Sequence, residues 1–197
     1  MSTFSKFVAA AAAVAAVAVL GAAAGAAQVT NTGPERFTAF AINMNANRPT
    51  EAATTVDVVI NRYSTDRERD TLREMFRANG QDGLLKALQR LPAVGYLTTP
   101  GSLRYDVHFA RQRPLPEGGR RIFLLTDRRI NYWEAASGSR TLDYPFTLIE
   151  LQLDRNDTGM GKLNIAAKIT GSEDSVIEIE DFAAQPVRLN NVHKVKS

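Results

Sequence analysis

The feature that most constrains the fold is a series of short alternating segments that runs from Val94 to Val192. In LRYDVHFAR, apolar residues alternate with polar ones, as a strand with one buried face requires. Later segments include RRIFLLT, FTLIELQLD, GKLNIAAKIT, SVIEIEDF and PVRLNNV, and turn residues such as QRPLPEGG, DRNDTGM and GSED separate them. This spacing predicts an antiparallel meander.

Two further strand candidates precede the meander, Arg36 to Met44 and Thr54 to Arg62. Both are rich in valine, isoleucine, phenylalanine and threonine, and the segment between them carries asparagines and a proline. We therefore expect two strands joined by a loop.

The periodicity between these strands and the meander is helical. Thr65 and Glu68 form a capping box, in which each residue satisfies a free amide group of the other at a helix start. Gly80 supplies a left-handed exit, and a leucine stripe from Gly83 predicts a second helix that Pro92 ends. The predicted fold is α+β: a curved antiparallel sheet or partly closed barrel of about seven to nine strands, with a pair of short helices after the second strand.

The N-terminal segment has the layout of a secretory signal, with Lys6 before an alanine-rich apolar run that ends in small residues. We expect cleavage near Ala27 or Gln28; the alternative is an uncleaved N-terminal anchor. The predicted organisation is a signal peptide over 1–27, one domain over 28–192 and a frayed basic tail over 193–197. This organisation predicts export to the periplasm or the extracellular space.

The composition excludes several chemistries. The chain has no cysteine, so it has no disulfides, thiol nucleophiles or thiolate metal sites. Its net charge of +3 is too even for a general nucleic-acid or membrane-surface binder. Of its 24 cations, 18 are arginines, whose planar guanidinium groups pair with carboxylates. We interpret them as partners in ion pairs across the sheet in preference to contacts for an anionic ligand.

Acid-base or metal chemistry would depend on two histidines, because histidine is the first residue to consider for either. His193 lies in the predicted tail and is discounted. His108 shares the polar face of its strand with Arg104 and Asp106, and this trio could orient a ligand, although a solvated face has the same pattern. The sequence has no HExxH spacing for zinc, and we predict no metal or cofactor.

No hydrolase motif supports a catalytic interpretation. The chain lacks GxSxG, and Ser64 and Ser102 flank turns or helix starts, where serine commonly acts as a cap. Glu178 and Glu180 lie on one strand face about 7 Å apart, a spacing that suits glycoside chemistry but equally an exposed strand.

A loop that begins at Asp154 resembles the first half of a calcium loop. Its twelfth position holds Ile165 instead of a bidentate glutamate, so we expect a polar hairpin turn instead.

Aromatic residues make the stronger argument for binding. Tyr132, Trp133, Tyr144 and Phe146 lie close together in the sequence. They would form an apolar pocket if they line the mouth of a curved sheet, or part of the core if they do not. Together with Arg104, Asp106 and His108, the first three are the predicted ligand contacts.

Two arginine pairs flank this region in RRIFLLTDRRINYWE. Adjacent strand residues point to opposite faces, so Arg120 and Arg121 cannot serve one surface. The same holds for Arg128 and Arg129 if they are extended. The polar TDRR predicts a bend or bulge that ends one strand and starts another.

The segments YSTDRER, YDVHFAR, LTDRRI, DYPFTLIEL and PVRL together resemble a group of exported bacterial single-domain proteins without an assigned activity. The resemblance implies bacterial export and one domain, and no residue role.

Our leading hypothesis is an exported non-catalytic protein that binds a small ligand or a protein partner through a curved sheet. The alternatives are an envelope or extracellular hydrolase that uses Asp106, His108 or the Glu178 and Glu180 pair, and a structural protein that assembles through exposed sheet edges.

Overall fold

The structure is a computed structural model that describes residues 33–43, 53–102, 104–128, 145–171, 177–181 and 186–196, with only the backbone at 165, 166, 168, 170, 171 and 177–181. The described residues form nine strands and one helix. Their bounds are β1 Glu35–Ile42, β2 Ala53–Ile60, α1 Asp66–Arg90, β3 Gly95–Thr98, β4 Tyr105–Pro114, β5 Arg120–Thr126, β6 Phe146–Leu153, β7 Thr158–Gly171, β8 Ile177–Asp181 and β9 Val187–Lys194.

Eight strands form a closed antiparallel barrel. Around the ring the strand order is β1, β2, β3, β4, β5, β6, β7 and β9. The ring is closed because β7 pairs with both β6 and β9, and β9 pairs with β1. The predicted antiparallel sheet and its strand number are confirmed, and the curvature reaches full closure. A closed ring leaves no free edge within itself.

The long strand β7 extends beyond this ring. Its first half pairs with β9 and its second half with β8. Ala167 pairs with Phe146 on one side and with Asp181 on the other, so β8 lies on the same side of β7 as β9. The side chain of Gln81 accepts a hydrogen bond from the Ile169 amide at 3.0 Å, which ties this extension to the helix.

Apolar side chains fill the barrel interior. They follow the alternation of the strands, as at Phe37, Ala39 and Ala41 of β1, each of which is at most 4 % exposed. The interior core includes Val56, Val58, Ile60, Leu97, Val107, Ile122, Leu124, Ile149, Leu151, Leu163, Leu189 and Val192. The interior of these strands is therefore a packed core.

The helix covers part of the outer surface and forms a second core. Its buried residues pack against outward-facing side chains of β4 to β7. The helix contributes Leu72, Phe76, Leu84, Ala87 and Leu88, and the strands contribute Phe109, Leu125, Phe146, Leu148, Ala167 and Ile169. No helix in the described part of the chain is long and apolar enough to cross a membrane.

The predicted pair of helices is not confirmed as two separate elements, because one helical segment spans Asp66–Arg90 and bends at Gly80, where the sequence predicted the break. The capping box of Thr65 and Glu68 is confirmed. Gly80 does adopt a left-handed φ of 59°, but the helix continues beyond it with a kink. A Cβ at Gly83 would lie 2.5 Å from the Met75 carbonyl oxygen, so the two halves approach each other at a contact that requires glycine.

Two predictions concern strand ends. The strand end expected at TDRR is confirmed, because β5 ends at Thr126, whereas the strand expected to start there lies outside the described residues. The expected frayed tail over 193–197 is wrong at its start, because β9 continues to Lys194. His193 pairs with Thr38 of β1 and Thr158 of β7, so pairing on both sides holds this segment in the barrel.

Candidate functional site

The predicted contacts Arg104, Asp106 and His108 lie at the start of β4 on the outer surface, as their alternation required, but they do not converge. Arg104 forms an ion pair with Asp106, with 2.9 Å between Nε and Oδ1. Both side chains are largely exposed. Arg104 and Asp106 therefore lie on a solvated part of the outer surface.

His108 makes contacts that the sequence pattern did not indicate. Its Nδ1 lies 2.8 Å from the carbonyl oxygen of Leu91, the C-cap residue of α1. Its Nε2 lies 3.6 Å from Oδ1 of Asp127, just after β5. The ring is therefore held between the end of the helix and the end of a neighbouring strand, with 14 % of the side chain exposed.

Two arginines near this histidine lie over tyrosine rings. The guanidinium carbon of Arg104 is 4.5 Å from the ring centre of Tyr96, and that of Arg128 is 5.3 Å from the ring centre of Tyr105. Arg128 Nη2 also donates to the Arg104 carbonyl oxygen at 3.0 Å. These contacts hold both guanidinium groups at the barrel surface.

The predicted contacts Tyr132, Trp133 and Tyr144 lie outside the described residues. Phe146, the fourth aromatic of that sequence cluster, is fully buried beneath α1 and belongs to the core. Of Glu178 and Glu180 only the backbone in β8 is described.

The loop that begins at Asp154 is the hairpin turn between β6 and β7. Asp154 Oδ1 accepts from the backbone amides of Asn156 and Thr158 at 2.8 and 3.0 Å, and Oδ2 accepts from the Thr158 hydroxyl at 2.9 Å. The amides of Thr158 and Asn156 lower the pKa of Asp154. The carboxylate thus stabilises the turn, which confirms the polar hairpin.

Ser64 and Ser102 both have structural roles. Ser64 Oγ accepts from the Ala110 amide at 3.0 Å, and its own amide donates to the Ala110 carbonyl oxygen at 2.8 Å. Ser102 Oγ accepts from the Thr99 amide at 3.1 Å. Ser102 therefore stabilises a turn, as predicted, whereas Ser64 joins the start of the helix to β4 instead of acting as a cap.

One end of the barrel is sealed by charged residues that the sequence analysis did not connect. Glu35 continues the inward-facing series of Phe37, and it is 2 % exposed. Arg120 Nη2 and Lys194 Nζ lie 2.8 and 2.6 Å from Glu35 Oε1, and the Tyr63 hydroxyl donates to Oε2 at 2.6 Å. Arg120 Nε also lies 2.8 Å from Asp157 Oδ1. We call Glu35, Tyr63, Arg120, Asp157 and Lys194 the ion network.

The protonation equilibria of the ion network follow from these contacts. Burial raises the pKa of Glu35, but hydrogen bonds from Arg120, Lys194 and Tyr63 outweigh it and hold the pKa at about 2. Burial and the hydrogen bond to Glu35 raise the pKa of Tyr63 far above its ordinary value. The carboxylate and the phenol therefore keep their charge states throughout the physiological range.

A second charged group lies on the outer surface, where α1 begins beside β4. Asp66 Oδ1 bridges Arg69 Nη1 at 3.1 Å and Arg111 Nη2 at 2.9 Å. Arg111 Nη1 is buried without a hydrogen-bond partner among the described residues. Burial lowers the pKa of Arg113, and the charges of Arg111 and Arg69 lower it further. We call Arg69, Arg111 and Arg113 the arginine cluster.

The neighbouring strand adds positive charge to this surface. Arg113 is directly opposite Arg121 across β4 and β5, a like-charge pairing that is unfavourable. Arg121 Nε lies 3.2 Å from Glu150 Oε1, which offsets part of that charge. The alternation of RQR in the sequence places Arg111 and Arg113 on one face of β4. The hairpin that leads to RR brings Arg121 beside them, and this pattern could have predicted the positive surface.

A surface depression of about 300 Å³ lies between the β4–β5 and β6–β7 hairpins. It is lined by Gln112, Arg113, Pro114, Gly119, Arg120, Asp154, Arg155 and Asp157. Both of its carboxylates are already engaged, Asp154 by the turn amides and Asp157 by Arg120. Arg113 both lines this depression and belongs to the arginine cluster, so the two are adjacent.

No family model, curated protein or solved structure matches this chain. The class it belongs to is defined by its own geometry: a closed eight-stranded antiparallel barrel with a filled interior, one outer helix and one further strand. Most of the surface ion pairs described above join an arginine to a carboxylate. Among the described residues no group of three or more His, Cys, Asp or Glu could hold a metal ion.

Proposed function

We propose that the protein is an exported, non-catalytic binding protein that holds an anionic ligand against the arginine cluster. A single observation carries this proposal: Arg111 Nη1 is buried without a hydrogen-bond acceptor among the described residues, beside two further arginines. A buried cationic N–H group without an acceptor costs free energy, and an anion would remove that cost.

Electrostatics supports an anion at this position. The pKa of Arg113 is lowered by burial and by two neighbouring cations, which means that its charge is less favourable here than in water. The carboxylate that bridges Arg69 and Arg111, Asp66, is 68 % exposed, so solvent screens much of its effect. A bound anion would offset the remaining repulsion among the three guanidinium groups.

The chemical class follows from the guanidinium groups. Arginine forms planar, two-point hydrogen bonds with phosphate, sulfate and carboxylate groups. The depression beside Arg113, at about 300 Å³, has the size of the smallest ligand sites. The ligand is therefore a small molecule with an oxyanion group that the arginine cluster binds.

The outer surface is the place for this ligand because the interior is occupied by core side chains. Binding through a curved sheet thus becomes binding on the convex side of a barrel. The predicted aromatic pocket of Tyr132, Trp133 and Tyr144 stays a prediction, since these residues lie outside the described part of the chain. Export likewise rests on the sequence of residues 1–27, and the intact mass of the purified protein would show whether they are removed.

The test compares inorganic phosphate with chloride at equal ionic strength and measures the thermal midpoint. Phosphate at ten times its dissociation constant stabilises a protein that binds it by about 1.4 kcal/mol. We expect a concentration-dependent rise for the wild type and loss of that rise in Arg113→Gln.

Arg36→Gln is the matched control, because it removes one charge from the exposed outer face of β1. Phosphate stabilises many proteins by exclusion from their surfaces, and both variants share that general effect. An equal phosphate response in Arg113→Gln and Arg36→Gln would contradict the proposal.

A further inference from the structure

We propose that His108 and Asp127 bind a divalent transition-metal ion, with zinc as the reference ion. This pair lies apart from the arginine cluster: Asp66 at the start of α1 contacts that cluster, whereas Leu91 at the end of α1 contacts His108. The inference therefore does not depend on the proposed anion site.

The first step concerns the proton on the imidazole ring. Nδ1 lies 2.8 Å from the Leu91 carbonyl oxygen, which only accepts hydrogen bonds, so Nδ1 carries the N–H group. In the neutral ring, Nε2 then bears the lone pair. A backbone carbonyl that fixes the other ring nitrogen is the usual outer contact of a metal-binding histidine.

The second step concerns the group opposite Nε2. Asp127 Oδ1 lies 3.6 Å from it, so a nitrogen lone pair and a carboxylate oxygen face each other. A cation between these two electron-rich atoms, either a proton or a metal ion, would be attracted by both of them. Imidazole nitrogen and carboxylate oxygen are both ordinary zinc ligands.

The third step is the distance. Zinc binds imidazole nitrogen at about 2.0–2.1 Å and carboxylate oxygen at about 2.0–2.2 Å, so two such ligands at a tetrahedral angle are about 3.3–3.5 Å apart. The observed separation of 3.6 Å needs a shift of only a few tenths of an ångström. The side chains are 14 % and 24 % exposed, which gives an ion access from solvent.

The neighbouring cations are directed elsewhere. Arg128 lies over the ring of Tyr105 and donates to the Arg104 carbonyl oxygen, while Arg104 pairs with Asp106. The described residues offer no third ligand in a cluster. The remaining positions on the metal are therefore taken by water, and we expect binding that is weak and readily reversed by a chelator.

The chain has a built-in control because it contains two histidines. His193 Nδ1 also lies near a backbone carbonyl oxygen, that of Asn191 at 2.9 Å, and the ring is exposed. Among the described contacts, only His108 faces a carboxylate at ion-pair distance.

The experiment is a titration of the full chain with zinc, followed by nuclear magnetic resonance of the imidazole nitrogens and reversed with a chelator. We expect the Nε2 signal of His108 to shift while that of His193 stays in place. Asp127→Asn should weaken the apparent affinity about tenfold or more. Asp106→Asn, on the same outer surface, should leave it unchanged.

Three outcomes would overturn the proposal: equal shifts of the two histidines, wild-type zinc affinity in Asp127→Asn, or a His108 signal that responds to pH and not to zinc. The last would show that a proton alone occupies the gap. Asp127 is partly exposed, so its variant is expected to fold, and far-ultraviolet circular dichroism checks this.

Discussion

The ion network and the arginine cluster both combine arginine with carboxylates, but they differ in burial and in hydrogen bonding. In the ion network, Glu35 has 1 % of its side chain exposed and receives hydrogen bonds from Arg120, Lys194 and Tyr63. In the arginine cluster, Asp66 has 68 % of its side chain exposed and bridges Arg69 and Arg111. The buried carboxylate accepts hydrogen bonds from three side chains, whereas Arg111 Nη1 has no acceptor among the described residues.

This difference indicates where the molecule stabilises its fold and where it has capacity to bind. The ion network contains two carboxylates and two cations, so its charges balance and a ligand would have to displace an existing partner. The arginine cluster leaves Arg111 Nη1 without an acceptor among the described residues. A buried, saturated group supports the barrel end, and an incompletely paired surface group is suited to a ligand.

The largest effect is expected when the ion network loses its central charge. Glu35→Gln should lower the free energy of unfolding by about 3–5 kcal/mol, because it leaves Arg120 and Lys194 beside an uncharged amide. Denaturant unfolding measures this loss. Glu68→Gln is the control, since Glu68 pairs with a more exposed arginine, Arg62, and caps a helix. The control should lose less stability, because Arg62 is partly exposed and solvent screens its pairing with Glu68.

Equal losses in the two glutamate variants would show that burial does not distinguish the ion network from a surface pair. If Glu35→Gln does not fold, Lys194→Met provides a milder change, because Arg120 and Tyr63 still donate to Glu35. Its loss of stability should exceed that of Glu68→Gln.

Acid should weaken the ion network in a defined pH range. The folded-state pKa of Glu35 is about 2, against an ordinary value of 4.5. A pKa that folding lowers contributes stability above the unfolded-state value, and that stability is lost as the pH falls through the folded-state value. We expect unfolding free energy to decline from about pH 4.5 to about pH 2, by roughly 3 kcal/mol for Glu35.

Urea unfolding at a series of pH values checks this prediction. Hydrogen bonds from Arg62 also lower the pKa of Glu68 to about 2, so the wild type should lose stability through both residues. Glu35→Gln should show a flatter decline over the same range. A pH profile parallel to that of the wild type would exclude Glu35 as a source of the acid sensitivity.

The ion network also illustrates which features the sequence predicts and which it does not. Local alternation predicted the strands, and it correctly separated Arg120 from Arg121: the first reaches Glu35 at the barrel end and the second pairs with Glu150 outside. The capping box also predicted the start of α1 from a local pattern, because its two residues are only three positions apart.

Contacts between residues that are far apart in the sequence could not be predicted from such local patterns. Glu35 meets residues near both the middle and the end of the chain, Arg120 and Lys194, and strand closure brings them together. His108 likewise depends on Leu91 and Asp127, which lie on other elements. Periodicity indicates which face a side chain occupies, but only the register of the barrel decides which residue it meets.

The smallest effect is expected in the arginine cluster without a ligand. Arg113→Gln should change the unfolding free energy by no more than about 0.5 kcal/mol, because the contacts it loses are offset by relief of repulsion from Arg111 and Arg69. Salt provides the sharper measurement. Sodium chloride screens repulsion between charges near the surface, so raising it should stabilise the wild type more than Arg113→Gln.

An equal salt response in these two proteins would mean that the arginine cluster carries no net repulsion. Its charges would then be balanced like those of the ion network, and the two regions would differ only in burial. A larger salt response in the wild type, together with the loss of phosphate binding in Arg113→Gln, would connect the repulsion to the binding site. The unfavourable charge that the free protein tolerates on its outer surface would then be the source of its affinity for an anion.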